Sequence, residues 1–198
     1  MKKSIVLVLL CVSSFGFLRA QGVSGGIKGG LNLASQSLGG SGISLDTKAK
    51  AGVHLGVYAT IMFSENVGLQ PELLYSSQGT KFDLAGLDDS SYKFNYINIP
   101  ILLRYNFNSI VNLHAGPQFG ILASAKTNVG DIEEDVKEFV KGSDLSAAFG
   151  LGVDLPAGLN FTVRYSLGLS DIDKEDDSEI KNNNIQISIG YRIFGKKD

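Results

Sequence analysis

The 198-residue chain has no tryptophan, one cysteine, two histidines and four prolines, and only 19% of its residues are charged. The low charge argues against intrinsic disorder, and the scarcity of proline argues against a collagen-like or low-complexity chain. Glycine is the exception, because its 24 residues exceed the ordinary share of ~7%. These features favour a folded chain rich in β-structure.

The first 20 residues have the order of a secretory signal peptide. Lys2 and Lys3 precede an apolar run over residues 5–18, and a short polar exit follows the run. This run is shorter than the ~20 apolar residues that a spanning helix needs. We predict that residues 1–20 are a signal peptide and that residues 21–198 form the mature domain.

Removal of this segment would leave an acidic chain without cysteine. The full chain has 18 basic and 20 acidic residues; losing Lys2, Lys3 and Arg19 leaves 15 against 20, a formal charge of −5. This balance disfavours nucleic acid as a partner. Cys11 would also be lost, which excludes disulfides, a thiol nucleophile and a cysteine-based metal site. A lipoprotein is disfavoured because Leu10 stands where a small residue is expected.

Apolar residues alternate with small or polar ones through most of the mature chain. Between residues 51 and 63 the odd positions are apolar, whereas the even ones include Gly52, His54 and Thr60. A period of two is typical of a strand with two different faces. The pattern predicts eight strands, at 23–34, 51–63, 67–78, 93–107, 111–123, 145–155, 159–169 and 185–193.

Short and long connections alternate between these strands. Tight turns are predicted at 64–66, 108–110 and 156–158, and longer polar connections at about 35–50, 79–92, 125–144 and 171–183. This alternation is typical of barrels in the bacterial outer membrane, which have short periplasmic turns and long external loops. We therefore predict an all-β fold, an eight-stranded antiparallel up-and-down transmembrane β-barrel located in the outer membrane after export through the periplasm.

The polar face of the strands indicates which side points outward. Six charged residues lie on it, and glycine is common there, whereas a soluble surface is normally about a quarter to a third charged. A face so poor in charge is better suited to a narrow interior, so the apolar face should contact lipid; the alternative is a soluble barrel or sandwich. The six residues are Lys28, Glu72, Arg104, Asp154, Arg164 and Arg192.

Five of these charges are predicted to form a structural network inside the barrel. Charges buried in a narrow lumen need partners. We pair Glu72 with Arg104, and we connect Lys28 to Arg164 and Arg192 through Gln186, Asn32 and water. Two alternatives remain open: the groups are unlinked and solvated by lumen water, or they line a conducting pore.

Several segments in sequence order resemble a known family. They are Lys28-Gly29-Gly30-Leu31-Asn32-Leu33-Ala34, Gln70-Pro71-Glu72-Leu73-Leu74-Tyr75, Asn98-Ile99-Pro100-Ile101-Leu102-Leu103-Arg104-Tyr105, Gly116-Pro117 and Ile189-Gly190-Tyr191-Arg192. Together they resemble the small outer-membrane β-barrel proteins of Bacteroidetes, often labelled porin family or PorT-like. The resemblance implies the barrel fold and the outer-membrane location, and it leaves the activity open. The chain departs from the usual aromatic barrel ending, because residues 195–198 follow Phe194.

Catalytic and metal-binding chemistry has little support in the sequence. His54 and His114 lie inside predicted strands with no third residue placed beside either, so we predict structural roles, no catalytic residue and no enzyme activity. No metal site and no cofactor are predicted. The acidic stretches at 131–138 and 171–179 are expected to be solvated external loops, with weak divalent-ion bridging to lipopolysaccharide as an alternative.

These observations predict an integral outer-membrane protein with a structural or envelope-interaction role and a lumen filled by side chains. Its predicted partners are outer-membrane lipid, lipopolysaccharide and envelope proteins. The alternatives are a small-solute porin and, with less support, a lipid-modifying enzyme. Pro71, Pro100 and Pro117 conflict with regular strands, because each removes a ladder hydrogen bond.

Overall fold

The computed structural model describes residues 22–39, 48–84, 87–129, 132–172 and 179–195. The predicted signal peptide lies outside these ranges, as does much of the second acidic stretch. No helix in the described ranges is long and apolar enough to cross a membrane.

The described residues form nine strands and one short 3-10 turn. The strands are β1 (Gly22–Gly39), β2 (Lys48–Met62), β3 (Val67–Leu84), β4 (Leu87–Asn106), β5 (Val111–Val129), β6 (Ile132–Asp135), β7 (Ser143–Asp154), β8 (Leu159–Gly168) and β9 (Glu179–Phe194), and the turn is Lys137–Phe139.

Eight of these strands close into one antiparallel barrel. The order around the wall is β4-β3-β2-β1-β9-β8-β7-β5, and pairing of β4 with β5 completes the circle. Each barrel strand pairs with the barrel strand that follows it in the chain, so that β5 pairs directly with β7. The last strand, β9, pairs with β1. The prediction of an eight-stranded up-and-down barrel is therefore confirmed.

The three predicted tight turns are present, and local chemistry stabilises each. Ser64 Oγ accepts a hydrogen bond from Val67 N at 3.0 Å. Asn108 Oδ1 accepts from Ile110 N and Val111 N at 2.8 and 2.7 Å. Gly158 takes a φ of 91°, which favours glycine because the residue has no Cβ. All three turns lie at the same end, here called the short-turn end.

The prediction of a long loop at 79–92 was wrong. Strands β3 and β4 continue through that segment as a paired hairpin, with partners as far as Phe82–Ser90 and Leu84–Leu87. Their serine, lysine and aspartate residues hide the apolar alternation on which the prediction depended. The predicted loop at 125–144 likewise contains β6, which folds back and pairs with β5.

The three strand prolines leave the register unchanged. Pro71 pairs with Ile101, and the next recorded pair, Leu74 with Asn98, continues the same register between β3 and β4. Pro100 pairs with Gln118 in β5, and Pro117 pairs with Ala147 in β7. The ladder therefore needs no bulge at these positions.

The barrel is apolar outside and polar inside, as predicted. Outward-facing Leu55 and Ile193 are 66% and 64% exposed, and the charged residues at the centre of the lumen are buried. Aromatic side chains are exposed near the short-turn end, as expected for an aromatic girdle. They are Phe63, Tyr105, Phe107, Phe161 and Phe194.

Glycine on the inner face lets neighbouring strands approach closely. A Cβ added at Gly30 would collide with the carbonyl oxygen of Ile187, and one added at Gly56 would collide with that of Leu73. Both residues lie on strands that are strongly curved around a narrow lumen. The glycine excess of the composition is thus partly explained by these close approaches.

Candidate functional site: the polar lumen

A buried carboxylate at the centre of the lumen accepts hydrogen bonds from three side chains. Glu72 Oε1 accepts from Lys28 Nζ at 3.1 Å, from Gln70 Nε2 at 2.7 Å and from Arg164 Nη2 at 2.7 Å, and Glu72 Oε2 accepts from Arg164 Nη1 at 2.9 Å. Lys28, Glu72 and Arg164 are each no more than 3% exposed. We call Lys28, Gln70, Glu72 and Arg164 the central cluster.

The central cluster joins opposite sides of the barrel. Glu72 lies on β3 and Arg164 on β8, and four steps separate these strands in either direction around the eight-stranded wall. Their contact is bidentate, which is the strongest geometry of an arginine–carboxylate pair. The side chains therefore cross the full width of the lumen at this level.

The two arms of the central cluster have further contacts. Arg164 Nε donates to His114 Nε2 at 3.4 Å, and His114 Nδ1 lies 3.3 Å from Asn112 Oδ1. These contacts suit the neutral tautomer that carries its proton on Nδ1. The Lys28 ammonium lies 5.9 Å from the centroid of the Tyr58 ring, which is within cation–π range.

The predicted pair of Glu72 with Arg104 was wrong. In the β3–β4 register Arg104 lies opposite Gly68, four residues closer to the short-turn end than Glu72. Arg104 instead forms an ion pair with Asp154 and donates to Gln70 Oε1 at 2.9 Å. Gln70 also donates to Glu72, so among the described residues the Gln70 amide is the side chain that connects Arg104 to Glu72.

The predicted route from Lys28 to Arg164 and Arg192 was also wrong. Lys28 and Arg164 meet at Glu72, and the Nε2 atom of Gln186 has no hydrogen-bond partner within the described ranges. Arg192 lines a cavity at the short-turn end. In the register with β1 it lies opposite Gly26, whereas Gly190 lies opposite Lys28, so Arg192 is closer to that end.

A second polar layer next to the central cluster was missed by the sequence analysis. His54 Nε2 lies 2.8 Å from Ser188 Oγ, and His54 Nδ1 lies 2.9 Å from Asn32 Oδ1. Gly30 of β1 pairs with both His54 and Ser188, and its lack of a side chain allows the two to meet across β1. A glycine flanked by paired polar positions was the only available signal.

Ser188, His54 and Asn32 are connected in the order of a nucleophile, a base and an orienting group. All three side chains are nevertheless no more than 3% exposed, and Asn32 also donates to Ser76 Oγ at 2.9 Å and to Ser77 O at 2.8 Å. A serine nucleophile must be reached by its substrate. The arrangement is therefore best suited to connecting β1, β2, β3 and β9.

An apolar closure lies toward the opposite, long-loop end. Phe94, Tyr96, Leu122 and Ala125 form a buried cluster, and Val136 and Val140 from the segment around the 3-10 turn pack against it. We call these six residues the external closure.

Polar contacts lie beside the external closure. Asp144 accepts hydrogen bonds from Ser170 Oγ at 2.9 Å and Asn182 Nδ2 at 3.3 Å. An ion pair of 2.6 Å between Lys141 and Asp171 connects the segment after the 3-10 turn to the connection between β8 and β9.

The short-turn end, by contrast, contains a cavity of about 620 Å³. We call it the vestibule. Its lining includes Tyr58, Arg104, Asp154, Asn160 and Arg192. Asn160 Nδ2 donates to the Tyr58 hydroxyl at 2.8 Å. The lumen thus has a polar recess at one end, the central cluster in the middle and the external closure at the other end.

Comparisons with known proteins agree with this architecture. The family described as an outer membrane protein beta-barrel domain matches residues 19–174. No curated protein sequence matches the chain.

Among the solved structures that share the fold are two bacterial proteins. One is Ail, the attachment invasion locus protein of Yersinia pestis, in complex with the heparin analogue sucrose octasulfate: identity is 18%, the TM-score is 0.51, and the match covers 86% of this chain and 99% of that chain. The other is Neisserial surface protein A, at 10% identity and a TM-score of 0.58, covering 85% of this chain and 97% of that chain.

Proposed function

Because this chain belongs to the outer membrane β-barrel domain family, we propose that it is a barrel whose role is structural or interactive within the cell envelope. Its location in the bacterial outer membrane follows from the family and the fold. We also propose that it is one of the small porin-family or PorT-like barrels of Bacteroidetes, because several of its sequence segments resemble those proteins.

The observation that carries this proposal is the central cluster. A conducting pore needs a continuous polar path, and its binding sites must release the solute readily. Here Glu72 and Arg164 meet across the lumen with the geometry of a strong, buried ion pair. On the long-loop side of this pair, the external closure packs apolar side chains of β4, β5 and the segment around the 3-10 turn against one another. Two successive closures support a lumen that is filled rather than conducting.

A barrel with a filled lumen acts through its surfaces. Its outward face is an apolar band suited to lipid, and β3 and β4, with 18 and 20 residues, exceed the ~10 residues that a membrane crossing needs. The extra length projects a hairpin beyond the lipid at the long-loop end. We propose outer-membrane lipid, lipopolysaccharide and envelope proteins as its partners.

A small-solute channel is the second candidate, and the vestibule is the observation that favours it. Such a recess would be the entrance of a path that opens only when the central cluster and the external closure separate. A lipid-modifying enzyme has less support, because both histidines lie buried in the lumen and away from lipid.

Planar-bilayer recording of the purified barrel tests whether its lumen is filled or conducts. We expect no stable single-channel steps from the wild-type protein. Reproducible steps that change in size or ion selectivity in Glu72→Gln would favour the channel instead. Crosslinking in intact cells, with crosslinkers at the β3–β4 hairpin, tests the interaction role; an envelope protein captured from the hairpin, but not from the short turns, would support it.

A further inference from the structure

The vestibule contains an arginine that the central cluster does not use. Arg192 is half-buried, lines the cavity, and has no ion pair within the described ranges. The neighbouring Arg104 is already bound to Asp154 and Gln70. Arg192 is therefore the vestibule guanidinium whose donors are available to a ligand.

The lumen around the vestibule also carries excess positive charge. From the vestibule to the central cluster, four inward-facing cations oppose two anions among the described residues, an excess of two. The cations are Lys28, Arg104, Arg164 and Arg192, and the anions are Glu72 and Asp154. Glu65 is exposed at the rim, where water screens its charge. Walls of low dielectric strengthen the potential of the buried charges, so an anion in the vestibule would be stabilised.

The vestibule provides donors that converge from different strands. The Tyr58 hydroxyl accepts a hydrogen bond from Asn160, so its own proton can be donated to a ligand. Tyr58 of β2 and Arg192 of β9 both lie opposite Gly26 of β1, so the two side chains flank β1 at the same level. A guanidinium and a phenol that face one recess are suited to the planar or tetrahedral oxygens of a carboxylate or a phosphate.

We propose that the vestibule binds a small organic phosphate or carboxylate, with Arg192 as its charged ligand and Tyr58 as a second donor. The volume of about 620 Å³ exceeds the needs of a bare ion and falls within the ordinary range of small-molecule pockets. Short turns face the periplasm in bacterial outer-membrane barrels, so the ligand enters from that side. Binding at this end requires neither conduction nor displacement of the central cluster, so the inference stands apart from the proposed role of the filled lumen.

Isothermal titration of the purified, refolded barrel in a non-ionic detergent provides the test. Inorganic phosphate and citrate serve as probes of the two anion classes, at matched ionic strength and at millimolar concentrations. We expect saturable binding of at least one probe to the wild-type protein. Arg192→Gln should weaken that binding about tenfold, as expected for the loss of one charge-assisted hydrogen bond. Tyr58→Phe should weaken it by a smaller factor.

Lys93→Gln is the matched control, because it removes the same charge from an exposed position on β4, far from the vestibule along that strand. It should bind as the wild type does. Circular dichroism establishes that each variant has refolded, and Arg192→Lys, which keeps the charge, should retain part of the affinity if Arg192→Gln fails to fold. Absence of saturable binding to the wild type, or equal binding by Arg192→Gln and Lys93→Gln, would overturn the proposal.

Discussion

Glu72 and Arg164 come from opposite sides of the barrel wall and meet through two parallel hydrogen bonds of 2.7 and 2.9 Å. Lys28 and Gln70 supply the remaining donors to the carboxylate, and His114 accepts from the guanidinium. The pair therefore connects two strands that share no backbone hydrogen bonds.

Glu72→Gln should destabilise the barrel strongly. The substitution leaves Lys28 and Arg164 buried without a counter-charge, and breaking a buried pair in this way typically costs ~3–5 kcal/mol, less any relief from lumen water. Glu65→Gln, at the exposed rim of a short turn, should change the free energy of unfolding by less than ~0.5 kcal/mol. Urea unfolding of both variants in the same lipid vesicles measures the difference. Equal stability of the two would contradict a structural role for the central cluster.

A double-mutant cycle should assign the partner of Glu72. Glu72→Gln combined with Arg164→Gln should cost less than the sum of the two single substitutions, because each removes the charge that the other leaves unpaired. Glu72→Gln combined with Arg104→Gln should show a smaller coupling, because Arg104 pairs with Asp154 and reaches Glu72 only through the shared partner Gln70. A larger coupling to Arg104 than to Arg164 would contradict the Glu72–Arg164 pair and support a pair of Glu72 with Arg104.

Gly30→Ala should destabilise the barrel by about 1–3 kcal/mol, the usual cost of overpacking. Its new methyl group would collide with the carbonyl of Ile187 and crowd the contact of His54 with Ser188. Gly142→Ala is the control, because a Cβ there meets no atom within 4 Å. Unfolding midpoints in urea compare the two, and a Gly30 variant as stable as the Gly142 variant would show that the strands can move apart at little cost.

Ser188 should behave as a structural hydroxyl. A fluorophosphonate probe, which labels accessible serine nucleophiles, should fail to modify the folded barrel, because Ser188 and His54 are each 3% exposed. Ser188→Ala should lower stability by about 1–3 kcal/mol, the cost of leaving a buried polar partner unsatisfied. Mass spectrometry of the treated protein is the measurement; specific labelling at Ser188 would reopen the question of an enzyme.

The strands, the short turns and the outward face could all be predicted because each depends on local sequence. Alternation between residues 51 and 63, or a turn at Asn108, involves neighbours along the chain. The partner of Glu72 depends instead on the stagger of the closed barrel, which sets β8 opposite β3 at the same depth. Nothing near Glu72 in the sequence contains that information, whereas Arg104, on the adjacent strand, looked like the natural partner.

The β3–β4 extension and the contact of His54 with Ser188 could not be predicted for a related reason. The β3–β4 extension mixes serine, lysine and aspartate residues with Phe82, Leu84 and Leu87 in no sustained alternation, so its sequence lacks the pattern that marks the other strands. Likewise, Ser188 and Asn32 are ordinary polar residues of single strands. Ser188 meets His54 because both residues pair with Gly30, on opposite sides of β1. Contacts that cross a strand are visible only once the register is known.

The position of β6 also bears on how copies of this protein behave toward one another. β7 begins at Ser143, opposite Ile121, and Leu122 N donates to Gly142 O, whereas β5 continues to Val129, so the rest of that edge of β5 would otherwise present unpaired amide and carbonyl groups. β6 covers the last four, from Lys126 to Val129, and Val136 N donates to the Ala125 carbonyl at 3.0 Å. An exposed edge is a template on which a strand of another molecule can add. By folding back on β5 with a short strand of acidic sequence, the chain occupies that template itself and discourages edge-to-edge aggregation.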